Sequence, residues 1–401
     1  MSELVLTGGR VVTPDGVRSV DVVVRGGKVV DLQEPGPGDP VGDAVALDGR
    51  WLLPGFVDVH VHGGGGAQFN TADPDEVQRA ARFHAGHGTT ALLATTVGAP
   101  VDELLTALRA IGTAVCQPQP GAAQVLGAHL EGPFLSRLRP GAMDPAHFRD
   151  PDVGETTSEP GGTHALSADA LRLLAHPAVR SISLAPELPG ALELTRRAVA
   201  QGVLVSLAHT DADNAEAVAA IEAGARAVTH AFNAMRPLHH RDPGLLGAAL
   251  ERDELTCELI CDGVHVDPVA ARLLLRLKGP NRTMLVTDAI EATGLPDGDY
   301  RLGDRAVCVR AGRATLAAAD TIAGATLTMD AALRNAVELG GASVADAARM
   351  AATTPAELLG LGATKGLIAP GRDADLVVLD DDLALAAVLV RGAWVDGPPT
   401  T

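Results

Sequence analysis

A chain of 401 residues is long enough for a large core, and one barrel of ordinary size plus a smaller module suits it better than a single compact unit. Its net charge of −18, with no Lys/Arg-rich run, repels a phosphate backbone, so no nucleic-acid partner is expected, although a local cationic spot can still hold a small anion. No apolar run approaches the roughly 18 residues of a membrane span, and no basic segment precedes an apolar one at the N-terminus, so a cytoplasmic protein without a membrane partner is expected. The cysteines, Cys116, Cys257, Cys261 and Cys308, lack zinc-type spacing and read as reduced thiols.

Residues 4 to 53 predict short strands and turns: Leu4 to Leu6, Arg10 to Val12, and a hairpin from Asp21 to Leu32 that turns on Gly26-Gly27. Trp51 to Val57 reads as a turn followed by a short buried strand, which runs into Asp58-Val59-His60-Val61-His62 and a glycine loop. Helical stretches then alternate with apolar strands. Asp73 to Gly86 precedes Thr90 to Thr95, Val101 to Ala114 precedes Val125 to Leu130, and Ala168 to Leu174 precedes Val179 to Ala185. The series continues through Ala191 to Ala200, Val203 to Leu207, Asn214 to Ala223 and Ala227 to Thr229, then Ala270 to Leu277 before Met284 to Thr287. Such alternation argues for an α/β parallel sheet, and the number of units suits a closed barrel. Strand-like texture returns in Lys365 to Asp380 and Ala387 to Gly392. Two β segments too small to bury a core separately do so together, which predicts a discontinuous module of residues 1–53 and 362–401 beside a barrel of residues 54–361.

In a strand, residues i and i+2 face one side, so His60 and His62 can reach one metal ion. Taken alone, such a pair is more often two satisfied core or loop histidines. The same placement recurs, however: Glu131, His209, His230 and Asp288 each stand where an apolar run gives out. Active sites of parallel barrels lie at the C-terminal strand ends, so all six side chains are expected at one mouth. Imidazole and carboxylate donors suit Zn2+, Fe2+ or another divalent first-row ion. Glu131, His209 and His230 would hold one ion with an open position for water, His60 and His62 a second, and Asp288 is the carboxylate placed to move the water's proton. His129, on the same strand face as Glu131, is expected to orient a ligand and not to be one.

These residues resemble the amidohydrolase superfamily and, within it, the N-acetylglucosamine-6-phosphate deacetylases. The resemblance is carried over nearly the whole chain by Pro54 to Gly63, His129-Leu130-Glu131-Gly132-Pro133-Phe134, Ala208-His209-Thr210, Thr229 to Met235, Asp262 to Asp267, Leu285 to Ala289 and Gly371 to Leu379. No lysine stands at Glu131, where a hydantoinase or dihydroorotase would bridge its metals through a modified lysine. The resemblance implies a metal-dependent (β/α)8 TIM-type barrel with a small β-sandwich domain built from both chain termini. It also implies hydrolysis of N-acetylglucosamine 6-phosphate to acetate and the sugar amine, in amino-sugar catabolism and cell-wall sugar recycling. One or two ions per subunit are implied, Zn2+ first, with Glu131, His209 and His230 on the primary ion, His60 and His62 on a second, and Asp288 as acid/base.

By the same resemblance, Asn233 and Ala234 meet the phosphate, His265 binds substrate, and Ile322 lines the acetyl pocket beneath a hairpin insertion between Asp299 and Met329. Arg241, in the loop Pro237 to Gly244, reaches the neighbouring subunit's site, so a homodimer is implied. The sequence departs from the family at Gly141-Ala142-Met143, where a histidine commonly follows the Gly-Ala or Gly-Thr pair. Methionine donates no such hydrogen bond. Either a metal polarises the carbonyl alone, or His147 substitutes, or the acyl group or sugar differs. The galactosamine epimer, another amide and, less well supported, a catalytically silent scaffold are the competing readings.

Overall fold

The computed structural model describes residues 3–35, 43–152 and 165–399. Eight strands run parallel in chain order: Phe56–Val61, Thr89–Thr96, Gln124–Glu131, Val179–Leu184, Leu204–Leu207, Ala227–Val228, Thr256–Leu259 and Thr283–Leu285. Phe56–Val61 and Thr89–Thr96 are buried along their whole length, as strands covered on both faces must be, and their composition is accordingly apolar and β-branched. The ring closes between its first and last members, where the Asp288 N–H donates to His60 O at 2.9 Å and the His62 N–H to Ala289 O at 2.8 Å. The sheet is a TIM-type barrel, so its strand ends form a single mouth.

The outer helices follow their caps. Asp73 accepts from the Asp75 N–H ahead of Pro74–Ala85, and Asn214–Ala223 opens on a reciprocal Asp213/Glu216 box and stops at Gly224 with φ 116°. Six helices keep the sequence-predicted bounds to within a residue or two, three of them to the residue, while Gly244–Glu251 and Met329–Glu338 were not singled out by periodicity.

Strands from both termini share one sheet. Trp51–Pro54 pairs in parallel with Arg10 and Val11 and antiparallel with Leu376–Leu379, inside a six-stranded sheet; a separate four-stranded sheet of Glu3–Thr7, Asp21–Arg25, Lys28–Gln33 and Asp43–Ala46 shares its core, with Leu6, Val22, Val24 and Val29 packed among Val11, Leu52 and Leu376. The sequence reading of Trp51 to Pro54 as a turn is thereby corrected. Leu52 and Leu53 point to opposite faces, Leu52 into the module's core with Val11, Leu376 and Leu389, and Leu53 into the barrel's core. Alternation over so few residues, followed by Pro-Gly, looks like a turn until both partners are present. Gly55 then lets the chain pass the barrel wall, because a Cβ there would run into the Thr90 side chain. Lys365 ties the junction: its ammonium, buried, meets Asp375 at 2.6 Å and Asp373 at 3.0 Å, and Asp373 also takes Lys28 of the N-terminal hairpin at 2.6 Å.

Between the last barrel strand and Met329–Glu338 stands an antiparallel insertion of Gly298–Leu302, Arg305–Arg310 and Arg313–Leu316, a hairpin of the expected kind with a third strand added.

Candidate active site and metal centre

His60 and Glu131 lie at the last positions of their strands, and His62, His209, His230 and Asp288 follow theirs within three residues. His209, His230 and Asp288 adopt φ of 43°, 30° and 49°, a left-handed conformation that costs a non-glycine residue on the order of 1–3 kcal/mol. The backbone turns sharply at these points and aims the side chains inward.

Two groups of donor atoms result, each within 4.8 Å: His60, His62 and Asp288, and Glu131, His209 and His230. Glu131 joins them. Its Oε1 lies 3.1 Å from His230 Nε2 and 3.3 Å from His209 Nε2, while Oε2 lies 3.2 Å from His62 Nε2 and 3.3 Å from His60 Nε2. Asp288 Oδ1 sits 3.1 Å from His62 Nε2 and 3.5 Å from His60 Nε2.

The outward nitrogens explain the inward ones. His209 Nδ1 faces Arg139 O at 2.9 Å, His62 Nδ1 faces Thr95 O at 3.3 Å, and His60 Nδ1 faces Glu258 Oε2 at 2.8 Å. Each partner is an acceptor, so each Nδ1 carries the proton and each neutral imidazole turns an Nε2 lone pair to the centre. Paired Nε2 atoms then lie 3.2 Å apart in His60/His62, lone pair toward lone pair, and 3.1 Å apart in His209/His230, where the buried His230 Nδ1 has no hydrogen-bond partner to fix its proton. Glu131 Oε2, fully buried, has no aligned hydrogen-bond donor despite its two histidine neighbours. Buried lone pairs converging without donors are what a divalent cation satisfies, and the donor set fits one.

Burial by itself would raise both carboxyls; where His60 or His62 takes up a second proton instead of facing a cation, as the carboxylates favour, that charge and the hydrogen bonds it allows hold Glu131 well below the usual carboxylate range and bring Asp288 down to about 2. Both are anionic at neutral pH. His129, which burial pushes down to about 4, bonds Ser183 Oγ at 2.7 Å and sets its ring edge against His60 at 4.9 Å; it joins neither donor group.

Two supporting carboxylates had not been singled out. Glu258 accepts from His60 Nδ1 and, at 3.0 Å, from the His230 N–H, bracing both groups from one strand. Its only sequence signal was a lone acid inside the apolar strand Thr256–Leu259. Asp58 accepts from the Thr287 hydroxyl at 2.6 Å and the His60 N–H at 3.2 Å, and burial pushes it up to about 7. It was visible in the His-x-His segment but carried no assigned role.

Above the donors opens a cavity of about 340 Å³. Asn233, His265, Arg313, Asp320 and Thr321 give its lining polar groups, Ala234 lines it as well, and Ala142, Met143, Leu302 and Ile322 add apolar ones. Burial opposes charge on His265, yet the Asp262 carboxylate, 2.7 Å from its Nδ1, raises it above the ordinary histidine value of 6.5. Arg241 does not line the cavity; it is exposed beside His240. His147 does not line it either. It pairs with Asp304 at 3.1 Å on the insertion and borders a second cavity, so the expectation that it replaces the missing donor fails: its ring is engaged elsewhere.

The sequence profile of the Amidohydrolase family matches residues 51–397. The chain belongs to the amidohydrolase family. This amidohydrolase is 38% identical to the N-acetylgalactosamine-6-phosphate deacetylase of Escherichia coli O157:H7 over 86% of its own length and 88% of the relative's. It is 37% identical to the N-acetylglucosamine-6-phosphate deacetylase of Bos taurus over 97% and 94% of the two chains. Among solved structures, the N-acetyl-D-glucosamine-6-phosphate deacetylase of Mycobacterium smegmatis, as a mutant in complex with N-acetyl-D-glucosamine-6-phosphate, superposes with a TM-score of 0.89 at 39% identity, covering 98% of this amidohydrolase and all of that chain. No helix among the described residues is long and apolar enough to cross a membrane.

Proposed function

We propose that this amidohydrolase hydrolyses N-acetylglucosamine 6-phosphate to glucosamine 6-phosphate and acetate in the cytoplasm, in amino-sugar catabolism and cell-wall sugar recycling. The observation that carries the reading is the Glu131 carboxylate shared between two histidine pairs on the floor of a cavity lined by both polar and apolar groups, in a chain related over nearly its whole length to N-acetylglucosamine-6-phosphate deacetylases.

Glu131, His209 and His230 would hold the primary ion and His60 and His62 a second, Zn2+ before Fe2+ or another first-row ion. A bound divalent cation supplies acidity to water and polarises the amide carbonyl. Asp288, anionic and at the same floor, accepts the proton of the attacking water and returns it to the leaving nitrogen as the C–N bond breaks. Acetate and the free sugar amine account for every atom of amide and water. Met143 adds no hydrogen bond to the carbonyl, so polarisation would fall to a bound cation. Asn233 and Ala234 are assigned to the phosphate and His265 to the sugar phosphate. Arg241, too far out to serve its own cavity, is assigned to that of a second subunit in a homodimer, where a guanidinium can grip phosphate by two prongs.

The relative from Escherichia coli O157:H7 favours a second reading, the galactosamine epimer. Acetate release from both phosphorylated epimers by metal-replete protein, with hydantoin ring opening in parallel, tests both. Release from the glucosamine compound at the higher kcat/KM is expected; a preference for its epimer reassigns the sugar, and ring opening without acetate refutes the deacetylase reading.

A further inference from the structure

Met143 stands in a partition. It is 7% exposed and lines the catalytic cavity beside Val97 and Leu302. Behind that wall lies the second cavity, about 480 Å³, bordered by Gly98 and Gly303, the chain neighbours of Val97 and Leu302. Neither glycine adds a side chain to the wall. The Met143 sulfur lies 3.8 Å from the place where a Cβ on Gly98 would stand, and Val97 Cγ2 lies 2.6 Å from the corresponding place on Gly303. Three apolar side chains therefore separate two spaces.

The substrate of the proposed reaction has one polar part, the sugar phosphate, and one apolar part, the acyl group. The cavity offers both kinds of group, and its larger apolar side chains are Val97, Met143, Leu302 and Ile322, of which Val97, Met143 and Leu302 belong to one apolar cluster, so the acyl group is assigned to that cluster and Ile322. A histidine at 143 would close that side with a directed hydrogen bond. Methionine, unbranched and with a polarizable thioether, repacks at little cost, whereas β-branched Val97 is stiff at χ1.

We propose that Met143 sets acyl-chain specificity and that the enzyme accepts N-acyl amino-sugar phosphates with acyl groups longer than acetyl, up to about butyryl, the chain passing Met143 toward the second cavity. This rests on the deacetylase reading and extends it to a wider class of amides. The hydrolytic step is unchanged, water adding across the C–N bond to give the fatty acid and the amine.

The test compares kcat/KM for N-acetyl- and N-butyrylglucosamine 6-phosphate in the native protein and in Gly98→Ala, whose added methyl meets Met143 and Phe148 at ordinary contact distances and blocks the retreat of the thioether. The native butyryl rate is expected within about tenfold of the acetyl rate, because each buried methylene adds roughly a fourfold gain that offsets moving Met143. In Gly98→Ala the butyryl-to-acetyl ratio is expected to fall about tenfold. A crystal of Asp288→Asn soaked with the butyryl compound should show the terminal carbons between Met143 and Gly98. Acetate release with butyrate release more than about tenfold slower, or a ratio unmoved by Gly98→Ala, overturns the inference and leaves the deacetylase reading standing. Release of neither acid overturns both.

Discussion

Asp288 is the most exposed of the proposed assignments to a single-residue test. In Asp288→Asn, turnover should fall about 10²- to 10⁴-fold, as for loss of a general acid/base, while at least one ion per subunit stays with Glu131, His209 and His230; unreduced turnover would move the proton transfer elsewhere. Glu258→Met keeps most of the volume but removes the acceptor for His60 Nδ1 and the His230 N–H, so metal affinity measured against a competing chelator should drop about 10- to 100-fold. Unchanged affinity would make Glu258 a bystander. His265 carries a raised pKa, so its positive charge is present in full below 6.5 and is lost as pH rises through the raised value. KM for the phosphorylated sugar should therefore climb across that interval, and a His265→Gln enzyme should show a flat profile there. His60, His62, Glu131, His209, His230 and Asp288 were legible because each ends an apolar run. Glu258 was not, since a lone acid within a strand has no spacing partner until the barrel brings another strand's histidine to it. The separation of Arg241 and His147 from the cavity was equally hidden, because loop direction is set by packing.

At the scale of elements, caps and periodicity spoke clearly. Ala168–Leu174, Ala191–Ala200 and Asn214–Ala223 have the bounds their sequences predicted, with Ser167 capping the first and Asp213 the last. Trp51–Pro54 was missed because its strand character exists only between Arg10–Thr13 and Leu376–Leu379, more than 300 positions apart in the chain. The passage from that strand into the barrel depends on Gly55. A Gly55→Ala protein should lose about 1–3 kcal/mol from overpacking against Thr90, read as a lower urea midpoint at unchanged slope. A midpoint equal to that of the native protein would show that the junction yields.

For the molecule as a whole, strand and helix alternation was enough to predict the barrel, and the barrel rule was enough to predict convergence at one mouth. The bonds that close it were not readable, for they run from backbone to backbone between the His60 segment and Asp288-Ala289. Nor was the depth of the pairing between the two chain ends, which Lys28, Lys365, Asp373 and Asp375 complete with ion pairs. The lining of the cavity is likewise complete only when the insertion and its following loop bring Leu302, Arg313, Asp320 and Ile322 to the strand ends. The central claim is that six side chains from five strand ends gather a divalent cation that the reaction requires. Its most direct test is acetate release from N-acetylglucosamine 6-phosphate by chelator-stripped protein titrated with Zn2+. Release should be near baseline without metal and rise to a plateau at one or two ions per chain; acetate released at full rate by the stripped protein, or none at any metal loading, would contradict the account.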